Sequence, residues 1–189
     1  MKAKIMAAIF GLFSLGATAV EVPADRTAAG GDSALTTIAA LDVPRYMGTW
    51  YEIAKFPNWF QRKCAGHTKA RYTLKADGNV EVVNACRLEE GGVTEAVGVA
   101  RQVGEPTSPK LEVRFAPAWL SFIPAVWGKY WVIDLDADYQ LVAVSEPKRD
   151  YLWILSRAPS VDKSGYNNLL ERLARKGFDL QLLETTKQD

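Results

Sequence analysis

The sequence holds 189 residues, 48% of them hydrophobic, with 6 tryptophans and a formal charge of +1. That length suits one domain with a substantial core. A near-neutral chain without a dense Lys/Arg run lacks the electrostatic footprint of a nucleic-acid binder, so that partner class is excluded.

The first segment reads as an export signal spanning residues 1–19. Lys2 and Lys4 supply a positive start, Ile5 to Leu15 an apolar stretch, and Ala17-Thr18-Ala19 a small-x-small processing site, which predicts cleavage before Val20. The stretch is too short to cross a bilayer comfortably, which argues against a membrane-spanning first helix. Without Lys2 and Lys4 the charge balance moves to about −1. No cysteine stands near the processing site to carry a lipid anchor, so the expected product is periplasmic or secreted and not acylated. Residues 20–40, rich in small residues with Pro23, Gly30 and Gly31, read as a flexible leader, and residues 41–189 as a single domain.

Eight strands are predicted next: Trp50 to Phe56, His67 to Leu74, Val80 to Arg87, Val93 to Arg101, Lys110 to Phe115, Lys129 to Leu135, Gln140 to Ser145 and Tyr151 to Ser156. Each is short and rich in β-branched or aromatic residues. Turn chemistry separates most of them, as at Asp77-Gly78-Asn79, Glu90-Gly91-Gly92 and Asp136-Ala137-Asp138. Short connections imply antiparallel neighbours. Eight such strands can close into an up-and-down β-barrel, a calyx with room for one small ligand. A two-sheet sandwich is the rival all-β arrangement. A helix follows, with Ser160 as its expected cap, Asp162 in its first turn, and Tyr166, Leu169, Leu170 and Leu173 on one apolar face. Gly177 should stop it. The barrel exterior is the surface it would lie on, and residues 178–183 could add a short ninth strand.

Gly48-Thr49-Trp50, Asp138-Tyr139 and Arg157, in that order along the chain, resemble the three signatures of the lipocalin family. Asp42-Val43-Pro44-Arg45-Tyr46-Met47 precedes Gly48-Thr49-Trp50-Tyr51-Glu52-Ile53-Ala54, similar to the family's Gly-x-Trp at the first strand. Asp138-Tyr139 represents the second signature, with Ala137 where the family usually has Thr, and Arg157 represents the third. The run from Pro147 to Arg157 and the segment Tyr51 to Phe56 are similar to the bacterial outer-membrane lipocalins, a branch itself akin to the apolipoprotein D group. The resemblance spans roughly residues 41–183. It implies an eight-stranded calyx with an external C-terminal helix, and a closed end built by Gly48, Trp50, Asp138, Tyr139 and Arg157. An Arg beside Trp50 can stack its guanidinium on the indole and donate to carbonyls.

Alternate loops of such a barrel share an end. The loops after the first, third, fifth and seventh strands therefore surround the open mouth. Two of them are aromatic: Pro57-Asn58-Trp59-Phe60, and the run from Ala116 to Trp127 with Trp119, Phe122, Ile123 and Trp127. The second reads either as a core-packed loop or as an apolar lip that meets ligand, a bilayer or a second copy in a homodimer. Period-2 alternation offers interior candidates. If Trp50 points in, Glu52, Ala54 and Phe56 share its face; Tyr72, Phe115 and Tyr130 are candidates on other strands, and a bulge can reverse any of them. Glu52 in an apolar calyx needs a donor or a raised pKa, which makes it a candidate polar anchor.

The chemistry of catalysis is missing from the pattern. His67 is the one histidine, no Cys/His spacing suits a metal, and no Gly-rich phosphate loop or nucleophile motif occurs. No catalytic residue, metal or cofactor is expected. Cys64 and Cys86 are expected to form a disulfide, since export places them in an oxidising compartment and an even count leaves neither orphaned. A hairpin centred on Asp77 and Gly78 sets Cys64 beyond the point opposite Cys86, so a bulge or bent approach is required. The expected function is binding, storage or transport of a fatty acid, lysophospholipid or phospholipid in the bacterial cell envelope. A tetrapyrrole or retinoid-like ligand, or a structural or partner-binding barrel without cargo, are the alternatives.

Overall fold

A computed structural model describes residues 33–189. The export signal and the first part of the leader lie outside the described residues. A one-turn helix α1 (Val43–Tyr46) leads into β1 (Gly48–Lys55). Then come β2 (Cys64–Leu74), β3 (Val80–Leu88), β4 (Val93–Gln102), β5 (Lys110–Arg114), β6 (Gly128–Leu135), β7 (Leu141–Ser145) and β8 (Leu152–Ser156). Helix α2 (Lys163–Arg175) and a two-residue β9 (Glu184–Thr185) follow. Each of the eight main strands pairs antiparallel with its neighbour in sequence, and β8 pairs back onto β1. The result is a closed up-and-down barrel, which removes the free edges that a sandwich would have to protect.

Two apolar clusters lie on the two sides of the barrel wall. Inside, Trp50, Tyr72, Val82, Ala100, Leu111, Val132, Val144 and Leu155 pack together. Outside, Leu169 and Leu173 of α2 bury against Ile53, Ala54, Ile133, Ala143, Leu152 and Ile154. The helix begins two residues later than the sequence suggests. Asp162, not Ser160, is its cap, because the Asp162 carboxylate reaches the Gly165 N–H at 2.8 Å. Gly177 ends it at φ +84°, a conformation a side chain would disfavour. Arg172 fastens the helix to the wall with two hydrogen bonds to Asp134, at 2.8 and 2.9 Å.

Bulges decide which side chains face the lumen. The β1–β8 register slips by one residue between Glu52 and Ala54, leaving Ile53 as the extra residue. Trp50 and Glu52 face inward, but beyond the slip the alternation inverts. Phe56 therefore corrects the expectation made for it: it is not in the calyx but under α2, its ring 6.1 Å from that of Phe178. A second slip, between Val132 and Asp134, turns Asp134 outward toward Arg172.

The leader and the tail differ from the sequence reading. Residues 33–40 are docked, not free: Leu35 is buried in the helix-side cluster and the Ile38 N–H donates to the Val132 carbonyl at 3.1 Å. The two apolar side chains supply the reason: full burial of a leucine such as Leu35 is worth about 1.5–3 kcal/mol, and half-buried Ile38 adds a smaller share. Residues 178–183 form no strand of their own. A 3₁₀ turn occupies Leu180–Leu182, and β9 beyond it pairs with β1 at Ala54 and Lys55.

The tail also completes the barrel at one place. Strands β1 and β2 pair only from Gly48 to Tyr51, then diverge. The gap is spanned by residues 186–188. The Thr186 N–H donates to the Ile53 carbonyl on one side, and the Lys187 carbonyl accepts from the His67 N–H on the other. The Gln188 amide donates to the carbonyls of both Glu52 and Thr68, at 2.7 and 2.8 Å. Gly66 is required here, because a Cβ would stand 2.7 Å from the Lys187 carbonyl oxygen.

Candidate functional site

The closed end is built around Trp50. Its indole is fully buried and donates to the Tyr46 carbonyl at 2.9 Å. The Arg157 guanidinium stacks 3.9 Å from the ring and donates to the carbonyls of Thr49, Arg45, Tyr46 and Tyr139. Gly48 has φ +99° and leaves room for Arg157, whose Nη1 would lie 3.2 Å from a Cβ there. Tyr139, at φ +59°, accepts from the Asp42 N–H through its hydroxyl, and Arg45 lies over its ring at 4.1 Å. Ala137 lacks the usual hydroxyl, yet the loop is held by Asp136, which accepts from the N–H groups of Asp138, Gln140 and Leu141. Asp138 serves as a backbone element of that turn, its carbonyl accepting from the Gln140 amide.

The opposite end carries the two aromatic loops. Asn58 caps the 3₁₀ turn Trp59–Gln61 by accepting from the Gln61 N–H at 2.9 Å. That turn holds Trp59 in water, 73% exposed, and sets Phe60 against Tyr151 and Trp153 at centroid distances of 5.8 and 6.1 Å. Tyr151 and Trp153 stack on one another at 5.7 Å. The rings form a ladder from the rim at Trp59 down to Trp153, which packs on the interior cluster. On the other loop, Trp119 is 72% and Phe122 77% exposed.

Trp127 does not join that lip. Tyr130 faces inward on β6, so the alternate position at Trp127 faces outward. Its indole lies 4.0 Å from the Arg101 guanidinium and 5.2 Å from that of Arg114, and donates to the Ser121 carbonyl at 2.8 Å. It braces the loop from the outer wall, so its expected place in the calyx mouth is corrected. Phe115 points inward with Leu111 and Val113, its ring lying across Gly98 of β4. A Cβ at Gly98 would be 2.7 Å from that ring.

A polar network lines the lumen near the mouth. Glu52 is buried inside, accepting from the Gln61 amide and the Thr186 hydroxyl, each at 2.6 Å. Gln61 in turn accepts from the Trp153 indole at 3.0 Å. Burial raises the Glu52 pKa, and the hydrogen bonds from Thr186 and Gln61 only partly offset it. A raised folded-state pKa makes ionisation harder in the folded protein than in the unfolded chain. The penalty therefore grows as pH rises above the ordinary carboxyl range and is complete above the folded-state pKa. Urea midpoints of the parent and Glu52→Gln should thus diverge with pH. The parent should gain on the variant on going from pH 7 to pH 5, and a constant difference would contradict the assignment.

Deeper in, Tyr72 and Tyr130 meet Tyr46, which the sequence reading did not select. Tyr46 precedes the first strand, and only its fold-back under the barrel brings it inside. Gln61, Trp153, Thr186 and Gln188 were missed as well. The alternation of β8 offered a signal for Trp153, since Leu152 and Ile154 suit the helix side. Two clefts lie outside the lumen. One of about 280 Å³ crosses the outer wall beside Lys69, Arg71 and Glu95, and one of about 370 Å³ lies at the closed end beside Leu41, Pro106 and Tyr139.

Residues 41–188 match the family described as the lipocalin-like domain. Temperature-induced lipocalin-1 of Arabidopsis thaliana is 40% identical over 157 residues, covering 82% of this chain and 83% of that protein. Outer membrane lipoprotein Blc of Escherichia coli (strain K12) is 38% identical over 147 residues, covering 77% and 78%. Among solved structures, insecticyanin from the tobacco hornworm Manduca sexta superimposes with a TM-score of 0.63 at 17% identity, covering 84% of this chain and 87% of that one.

Proposed function

The chain belongs to the lipocalin family, and from that membership we propose that it takes up and carries one lipid, a fatty acid, lysophospholipid or phospholipid, without catalysis. The observation that carries this reading is the concentration of aromatic side chains at one end of a closed barrel, with Trp59, Trp119 and Phe122 in water and a ring ladder descending to Trp153. A lipid leaving a membrane meets its largest barrier in water. An apolar lip shortens that crossing, because each Å² of apolar surface hidden contributes about 25 cal/mol. The same lip can pair with a second copy in a homodimer.

The reading places the protein in the bacterial envelope, periplasmic or secreted, after signal cleavage before Val20. The Cys64–Cys86 disulfide supports it, since such bonds persist in oxidising compartments. The positions of the two clefts, both on outer surfaces, favour a second reading: a barrel that acts through its exterior and holds no cargo.

The variant Trp119→Ser with Phe122→Ser tests the lip. It alters a loop and leaves the barrel wall intact, so its thermal melt should match the parent. Uptake of fluorescent fatty acid from vesicles should slow several-fold, or light scattering should show a lost dimer. Parent-like transfer rate and mass together would show these residues to be ordinary loop groups.

A further inference from the structure

The floor of the lumen carries a hydrogen-bond count that does not close. The hydroxyl of Tyr130 lies 2.7 Å from that of Tyr46 and 3.1 Å from that of Tyr72. Three phenols bring three protons, and two oxygen–oxygen contacts use two of them. Among the described residues these hydroxyls have no other acceptor, so one O–H remains unspent. An unmade hydrogen bond at a buried site is costly.

A cation stacks directly below this floor. Arg157 stacks 3.9 Å from Trp50, whose ring is 5.0 Å from that of Tyr46. Its donors go to backbone carbonyls, and among the described residues no carboxylate pairs with it. The carboxylate of Glu52 stands instead toward the mouth, bonded to the rim residue Gln61. An anionic head therefore meets a carboxyl group near the rim and a guanidinium beneath the floor. Tyr130 is half-buried, whereas Tyr46 and Tyr72 are buried. Burial pushes all three phenols up, Tyr72 to about 12, which keeps the protons in place.

We propose that the Tyr46–Tyr130–Tyr72 floor is a head-group site for a carboxylate, so that a fatty acid enters the barrel head first and accepts the spare phenol proton. This assignment rests on the carrier reading and adds an orientation and a ligand class to it. A hydrocarbon end seated there would leave the proton without a partner.

The test pairs two amphiphiles of equal chain length, dodecanoate and dodecylammonium, titrated below their micelle concentrations by calorimetry. The parent should bind dodecanoate at least about tenfold tighter, and the triple variant Tyr46→Phe, Tyr72→Phe, Tyr130→Phe, which takes away every phenol donor of the floor, should remove most of that advantage while leaving dodecylammonium unchanged. A measurement on the parent alone guards against a variant that folds poorly. With [1-¹³C]dodecanoate, the carboxyl resonance should cease to titrate like the free acid and should contact tyrosine ring protons. Equal affinities that the triple variant leaves alone, or a carboxyl that titrates like the free acid while the terminal methyl contacts the tyrosines, would overturn the floor site and leave the carrier reading standing. If neither amphiphile binds the parent, the carrier reading fails and the floor site with it.

Discussion

Trp50→Ala should lower the unfolding free energy by about 3–5 kcal/mol, as for other large-to-small changes at a fully buried aromatic. Three losses combine at this position. The indole fills the closed end and is wholly inaccessible to water. Its N–H donates to the Tyr46 carbonyl, which keeps α1 folded across the base. Its face supports the Arg157 guanidinium, whose donors link carbonyls of α1, β1 and the β6–β7 turn. The wall at Trp50 is held by its pairing with Ala70 of β2, which limits how far it can close on the space. Urea melts at neutral pH would read the change as a reduced midpoint. An unchanged midpoint would mean that the indole does not close the barrel.

Replacing both Cys64 and Cys86 by serine should cost about 3 kcal/mol in the chain-entropy account of a loop of this length. The disulfide joins residues 22 apart in sequence, with their Cα atoms at 5.6 Å. Simple hairpin register would not bring the two together. Cys64 pairs with Leu88, not Cys86, and two slips between Cys64 and Lys69 bend the start of β2 toward Cys86. That bend is the one lined by residues 186–188, so the disulfide and the tail hold the same weak seam from two sides. Thiol titration of the unfolded, unreduced protein should find none free. Two titratable thiols would contradict the bond, and an unaltered urea midpoint in the double variant would contradict its contribution.

What the sequence made legible follows from which features are local. Turn residues and period-2 alternation are written into each hairpin, so eight strands, their antiparallel pairing and the end that holds the aromatic loops could be read directly. The apolar face of α2 was equally plain, because Leu169 and Leu173 recur at helical spacing. What stayed hidden depends on register and long-range docking. The slip at Ile53 has no sequence mark, and it alone moved Phe56 from the lumen to the helix side. Trp127 stands two residues before the expected strand at Lys129, beyond the reach of its alternation. Leu35 and Ile38 looked like isolated apolar residues in a loose leader, and only the assembled wall gives them a surface. The tail residues Thr186 and Gln188 are polar and unpatterned, yet they bond the buried Glu52 and the open seam.

The central claim is that the lumen holds lipid. Delipidated protein would be incubated with phospholipid and fatty-acid vesicles, re-isolated, extracted, and the bound lipid counted per chain by mass spectrometry. Ala96→Trp provides the contrast, because Ala96 pairs with Asn84 on the lumen-facing side of β3 and β4 and a tryptophan there would fill the space. The parent should return about one lipid per chain, and the filled variant, with an unchanged thermal melt, almost none. A parent that returns no lipid, or a filled variant that returns as much as the parent, would contradict the account.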